Sequence, residues 1–275
     1  MTTQAVPEGK YVDVGGGLRV HYHEAGEGPV VLFLHGSGPG ASGWSNFRRN
    51  YPYLAARGYR CLVPDTLGYG YSSKPDDRDY DLSMLVGVVA RFLDALGVAS
   101  CAVIGNSHGG AMSMLLALEH PTRVNKLVLM APGGLEERET YMKMDGIRTM
   151  LKVFFGPDGI TREGMRRVFG LQVVDASLIG DDVIEERYEI ARLQPKRVLS
   201  TMHVPNLAPR LPEIACPVLG FWGIDDRFCP PSGATTIARS CKNARVVLQN
   251  SCGHWVMVEH EAMFNRLTHD FLEHG

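Results

Sequence analysis

The sequence has no CxxC pair, although it carries six cysteines. That absence argues against zinc ribbons and thioredoxin-like redox chemistry. It has no excess of either charge: 28 lysines and arginines stand against 30 aspartates and glutamates, a net charge of −2. No basic stripe or acidic tail is visible, so no nucleic-acid partner is expected. No apolar run approaches the ~20 residues that a membrane helix needs, so no membrane partner is expected either. The opening MTTQAVPEGK lacks the basic segment and following apolar stretch of a secretory leader. The expected setting is the cytoplasm, where cysteines stay reduced. Cys61, Cys101 and Cys216 sit in apolar runs and read as small core residues. Internal repeats and low-complexity tracts are absent, which excludes solenoids and long linkers. No GK[ST] follows a glycine-rich loop, which argues against a phosphate cradle. Neither a cofactor nor a metal is expected.

What the chain does contain is alternation. Its 275 residues, 45% apolar, suffice for one large core. KYVDV and LRVHYHE, separated by Gly15, Gly16 and Gly17, read as a hairpin. PVVLFLH, YRCLVPD, CAVIG and KLVLMAP are apolar runs of the kind found in strands buried on both faces. Helical stretches lie between them: residues 44–57, residues 81–96 and HGGAMSMLLALEH. Asp81 is a fair N-cap and Gly97 a fair stop for the second. This alternation predicts an α/β fold, a mostly parallel central sheet flanked by helices. The rhythm breaks after Pro132. Residues 134–212 hold helical pieces at 141–155, 161–169, 181–193 and 196–203, and no buried strand. CPVLGFWG restores the rhythm, followed by a helix, ARVVLQN and a last helix at 258–273. The expected organisation is a core made of residues 1–133 and 213–275. A helical lid, residues 134–212, is inserted after the sixth strand.

Gly105-Asn106-Ser107-His108-Gly109 joins a strand to a helix as G-x-S-x-G. A serine on so sharp a corner is strained, and bulky neighbours two positions away would clash. The helix starting beneath the hydroxyl favours developing negative charge. Ser107 is the candidate nucleophile; a simple glycine turn is the alternative. A serine hydroxyl needs a base at neutral pH, and histidine suits. Of ten histidines, His254 in NSCGHWVMVEH follows the last strand, at the sheet edge where the serine corner emerges. His21 and His23 lie in the early hairpin and are expected to be solvated. The carboxylate that orients the imidazole is sought in WGIDDRFCPP. Neighbours in an extended segment point to opposite sides, so only one aspartate can face His254. Asp226 is preferred because it precedes Pro230 by four residues, as the acid does in hydrolases of this general type. Asp225 is the alternative. The order Ser107, Asp226, His254 is that of the α/β-hydrolase fold. Two backbone N–H groups are expected to hold the oxyanion. One is that of His108; the other is that of Ser37 in LHGSGPGASGW, where glycines let backbone approach a ligand.

Taken together, HGSGPGASGWSNF, GNSHGG, LMAPGG, ERYEIARLQP, WGIDDRF and CGHWVMVEH resemble the meta-cleavage product hydrolases of the α/β-hydrolase fold. The similarity runs over nearly the whole chain. These enzymes cut carbon–carbon bonds in 2-hydroxy-6-oxohexa-2,4-dienoates made by ring cleavage of aromatics. The resemblance implies that Ser107, Asp226 and His254 are catalytic and that the Ser37 and His108 amides form the oxyanion hole. It implies that Gly38, Asn46, Asn106, Arg187 and Trp255 bind substrate, with Arg187 reaching from the lid to the carboxylate or the enolate. By residue type alone Arg187 reads as one solvated basic side chain among many. Relatives are often dimers or larger, so a homo-oligomer is expected. The implied chemistry is ketonisation of the dienoate, then attack on the carbonyl by Ser107 or by a base-activated water. It ends in release of 2-hydroxypenta-2,4-dienoate and a carboxylic acid. The resemblance favours a serine acyl-enzyme.

Two features depart from the family's pattern. His108 follows the serine where many relatives have an apolar or thioether side chain. A second imidazole there either perturbs the nucleophile's charge environment or points away. The lid has no tryptophan, since the three are Trp44, Trp222 and Trp255, but it has five methionines. These read either as an adaptable apolar pocket or as core filler. The size of the group on the scissile ketone is therefore left open. A carboxylesterase or lactonase on the same fold is the alternative function, because fold does not determine substrate.

Overall fold

In the computed structural model, residues 6–275 are described; the first five residues of the MTTQAVPEGK segment lie outside them. The strands are β1 (Lys10–Asp13), β2 (Arg19–Ala25), β3 (Val30–Leu34), β4 (Arg60–Pro64), β5 (Cys101–Asn106), β6 (Val124–Met130), β7 (Val218–Gly223) and β8 (Ala244–Gln249). They form one sheet in the order β1-β2-β4-β3-β5-β6-β7-β8. Pairing is antiparallel from β1 through β2 to β4 and parallel elsewhere. The first hairpin turns at Gly15, Gly16 and Gly17, with φ of 80°, 63° and 72°, values that side chains make costly.

Buried strands need helices on both faces, and the two-residue period of β3 shows both. Leu32 and Leu34 enter one core and Val31 and Phe33 the other. The first face carries α3 (Leu82–Ala95), α4 (His108–Glu119) and α10 (Ser232–Ser240). Asp81 caps α3 by accepting the Met84 N–H at 2.8 Å, which satisfies one orphan donor. The second face carries α1 (Gly43–Phe47), α2 (Tyr51–Ala55), α11 (Val256–Glu259) and α12 (Glu261–His274).

The connection from β6 to β7 is helical: α5 (Arg138–Tyr141), α6 (Asp145–Phe155), α7 (Arg162–Gly170), α8 (Asp181–Ala191) and α9 (Arg197–Ser200). Its Met165, Val168 and Phe169 share one core with Phe33 and Phe47. The inserted helices are thus packed into the sheet's own core.

Three helices expected to be continuous are broken, two of them by contacts with residues distant in the chain. Residues 44–57 divide into α1 and α2 around Asn50, whose side chain bonds Met257 O and Asn265 Oδ1. Pro52 follows, and its missing N–H fits only a first turn. Residues 141–155 divide into α5 and α6. The second start brings Gly146 N–H to Arg227 O at 2.9 Å, and a Cβ there would meet the Phe228 ring at 2.5 Å. Residues 258–273 divide into α11 and α12 at His260.

His21 and His23 are a correction: they are buried, at 5% and 3% exposure. The hairpin strand β2 is internal, flanked by β1 and β4, and Trp44 of α1 packs on the His23 ring at 5.6 Å. Among the described residues no helix is long and apolar enough to cross a membrane.

Candidate active site

β5 delivers Ser107 and α4 begins at the next residue. Ser107 has φ 55° and ψ −117°, a region that side chains make unfavourable. Backbone bonds clamp it there. Its N–H donates to Met130 O at 2.9 Å, and its carbonyl accepts from Gly133 and Ala111 at 2.9 and 3.0 Å. The flanking glycines supply room: a Cβ on Gly105 would lie 2.3 Å from Ser113 Oγ, and one on Gly109 2.0 Å from Leu34 O. The His108 amide belongs to the first turn of α4, where N–H groups lack helical partners.

The loop after β8 carries His254, and the loop after β7 carries Asp226. Their side chains meet at 2.7 Å, His254 Nδ1 to Asp226 Oδ2. Asp226 Oδ1 accepts the Phe228 and Cys229 N–H groups at 2.7 and 2.9 Å, so the carboxylate cannot rotate away. Phe228 stacks on the His254 ring at 5.2 Å. Asp225 is exposed and makes no contact with His254; its N–H bonds Cys252 O instead.

Arg187 of α8 is buried, at 2% exposure. Its Nη1 donates to Ser45 Oγ at 2.7 Å and to Asn46 Oδ1 at 3.2 Å. Asn46 Nδ2 donates in turn to Asn106 Oδ1 at 3.2 Å, and Asn106 Nδ2 to Met130 O at 3.3 Å. The guanidinium also lies over the rings of Phe169 and Trp255, at 4.7 and 5.4 Å. Its neighbour Glu186 pairs with Arg48 instead, and Arg187 has no ion pair with a described residue. Its Nε has no partner either. Burial pushes its pKa down to about 10, which leaves it charged at neutral pH. The glycine loop makes this approach possible, since a Cβ on Gly40 would lie 1.9 Å from Arg187 O.

Two adjoining chambers result, with four lining residues in common. The smaller, about 20 Å³, is lined by Ser37, Gly38, Asn46, Asn106, Ser107, Arg187, His254 and Trp255 among others. The larger, about 260 Å³, shares Ser37, Ser107, Ile147 and Met150 with it and adds His108 and Cys229. Of the residues expected at the site, only Asp226 lines neither; it stands behind His254. Of the lid methionines, Met142, Met150 and Met202 line the larger chamber, while Met165 is core. Among the described residues no group of three or more His, Cys, Asp and Glu is placed to hold a metal ion.

Two further imidazoles stand nearby, and both are neutral. Burial pushes His35 and His108 down to about 4. His108 therefore adds no charge beside Ser107. Several residues here carried no sequence signal. Ser45, Ile147 and Phe228 enter through packing. Glu259 accepts the Gly253 N–H at 2.6 Å and the Val174 N–H at 2.7 Å. It thereby ties the His254 loop to the inserted segment, a role that a single glutamate on a short helix does not announce.

The family profile described as alpha/beta hydrolase fold matches residues 29–163. Fold and serine corner together define the class, an α/β-hydrolase. Over 94% of its length the chain is 38% identical to the 2-hydroxy-6-oxo-6-phenylhexa-2,4-dienoate hydrolase of Burkholderia cepacia, covering 92% of that protein. Over the same share it is 37% identical to the 2-hydroxy-6-oxononadienedioate/2-hydroxy-6-oxononatrienedioate hydrolase of Comamonas testosteroni, again covering 92%. A solved meta-cleavage product hydrolase of Pseudomonas fluorescens matches with a TM-score of 0.86 at 27% identity, over 96% of this chain and 97% of that one. The chain belongs to the meta-cleavage product hydrolases, which are carbon–carbon bond hydrolases.

Proposed function

We propose that this chain hydrolyses 2-hydroxy-6-oxohexa-2,4-dienoates with Ser107 as nucleophile, His254 as general base and acid, and Asp226 orienting His254. The observation that carries this reading is the buried, unpaired guanidinium of Arg187 in one chamber with Ser107 and His254. A buried cation without a counter-ion is costly. The dienoate's carboxylate supplies the missing charge, and Asn46 and Asn106 hold its hydroxyl end. Gly38 lies against the guanidinium, since a Cβ there would stand 3.4 Å from Arg187 Nη2. Trp255 forms the chamber wall.

The chemistry needs an electron sink, because a carbanion is a poor leaving group. Moving the proton of the 2-hydroxyl to carbon 5 gives a ketone at carbon 2 conjugated to the remaining double bond. His254 then takes the Ser107 proton as the oxygen attacks the ketone at carbon 6. The Ser37 and His108 amides receive the oxyanion, each worth roughly 3 kcal/mol. The bond between carbons 5 and 6 breaks, and its electron pair runs to the oxygen on carbon 2 beside Arg187. Protonation there releases 2-hydroxypenta-2,4-dienoate. One water, activated by His254, hydrolyses the acyl-serine and frees the carboxylic acid. No cofactor or metal takes part. Residues 134–212 act as a lid on a core of residues 1–133 and 213–275. The chain works in the cytoplasm as a homo-oligomer, which light scattering of the purified protein tests for the assembly.

Dienolates are coloured, so cleavage bleaches them, while nitrophenyl esters report esterase activity. The intact chain bleaches the dienoate in preference to cleaving the ester. Ser107→Ala loses cleavage by about ten-thousandfold or more, yet still ketonises, losing colour without releasing acid. Wild-type acid release by that variant would overturn the mechanism. Ester cleavage without bleaching would replace it with an esterase.

A further inference from the structure

We infer that the substituent on the scissile ketone is a neutral group of aromatic size, not one ending in a second carboxylate. This rests on the proposed reading of Ser107 as nucleophile and Arg187 as carboxylate site, and extends it to the other half of the substrate. The two chambers meet at Ser37, Ser107, Ile147 and Met150. Whatever projects from the attacked carbon, away from Arg187, enters the larger one. Its volume of about 260 Å³ exceeds the roughly 150 Å³ at which an aliphatic cavity already admits benzene.

The walls and their charges then choose the chemistry. Ile147, Met150, Leu151, Leu199, Met202 and Val204 make the surface apolar, and thioethers adapt to ring shapes. The charged lining groups are the consecutive residues Glu136, Glu137 and Arg138. Glu136 accepts from Ser232 Oγ at 3.0 Å and Glu137 from Asn206 Nδ2 at 2.8 Å. Neither carboxylate is paired with a cation. Glu137 and Arg138 are both exposed, Glu136 is half-buried, and no buried lysine or arginine lines this chamber. An anionic substituent would lose its water against methionine and leucine and meet more negative than positive charge. The cavity is thus asymmetric: a buried cation in the chamber that takes the dienoate carboxylate, apolar walls and two carboxylates in the other.

The test uses the purified full chain and three dienoates, carrying phenyl, methyl or 2-carboxyethyl on the ketone, with kcat/KM read from release of the carboxylic acid. Phenyl is expected to exceed methyl by about tenfold and 2-carboxyethyl by about a hundredfold. Replacing both rim carboxylates (Glu136→Gln with Glu137→Gln) is expected to raise 2-carboxyethyl relative to phenyl by about fivefold. Met202→Trp, which fills the chamber, is expected to lower the phenyl-to-methyl ratio about tenfold. A 2-carboxyethyl substrate within threefold of phenyl, or faster, overturns the inference while leaving the cleavage reaction standing. So does a phenyl-to-methyl ratio that Met202→Trp does not move. Acid release from none of the three overturns the cleavage reading itself.

Discussion

His254 and His21 each hold an imidazole Nδ1 at 2.7 Å from a carboxylate, Asp226 and Asp65 respectively. Both pairs are buried. Each carboxylate also accepts two backbone N–H groups, Asp226 from Phe228 and Cys229, Asp65 from Gly43 and Tyr71. The pairs differ on the far side of the ring. His254 lines a chamber with Ser107. His21 is hemmed by Tyr11, His23 and Tyr71, and a Cβ on Gly9 would stand 1.8 Å from its Nε2. A carboxylate–imidazole pair is therefore only an orienting device. Used against an open chamber with a hydroxyl, it prepares the base that we propose His254 to be. Used against packed rings, it ties β2 to the loop after β4, together with the Ser72 Oγ that accepts the His21 N–H.

The carboxylates separate the two uses most sharply. Asp226→Asn leaves His254 in the wrong tautomer, and kcat should fall by about ten-thousandfold. Steady-state acid release checks this; a loss under tenfold would make the two pairs alike. Asp65→Asn should do the reverse. It removes the charge from a buried, fully hydrogen-bonded carboxylate, so stability should drop by about 3 kcal/mol. The kcat of the folded fraction should stay within about threefold, since no reacting group is touched. Urea unfolding with active-site titration separates the two quantities.

His35 and His108 sharpen the contrast from the other side, because neither has a carboxylate hydrogen-bonded to it. His35 Nδ1 donates to Gly36 O at 2.7 Å, and its Nε2 accepts the Thr66 N–H at 2.9 Å, which only a neutral ring can do. Both rings are pushed down to about 4 by burial, whereas the unfolded chain takes up their protons near 6.5. The unfolded state thus binds more protons between these values, and stability falls as pH drops through that window. At pH 5 each ring should account for on the order of 2 kcal/mol of loss relative to pH 7. Urea midpoints along an acid series should show the decline, and His108→Met should flatten it. An unchanged slope in that variant would mean His108 titrates normally.

Much of this was legible in the chain. All eight strands correspond to apolar or alternating runs, because a strand's side chains alternate with a fixed period. The serine corner was visible because its demands are met within five residues, 105–109. The helix breaks at Asn50 and before Gly146 were not visible, since distant partners impose them, Met257 and Asn265 for Asn50 and Phe228 for Gly146. The two aspartates of WGIDDRF could not be told apart with certainty by spacing. What distinguishes them is the burial of Asp226 behind His254, with the Phe228 and Cys229 amides folded back onto it.

By itself the order of residues determined the local conformations: which segments extend, which coil, and where a serine is forced onto a strained corner. Those depend on covalent neighbours and short-range sterics. Tertiary structure decided which polar groups lost their water. Arg187 became a buried cation, His21 a packed strut and His108 a neutral ring only because distant segments closed over them. Charge and reactivity follow from desolvation, and desolvation is a property of the assembled molecule.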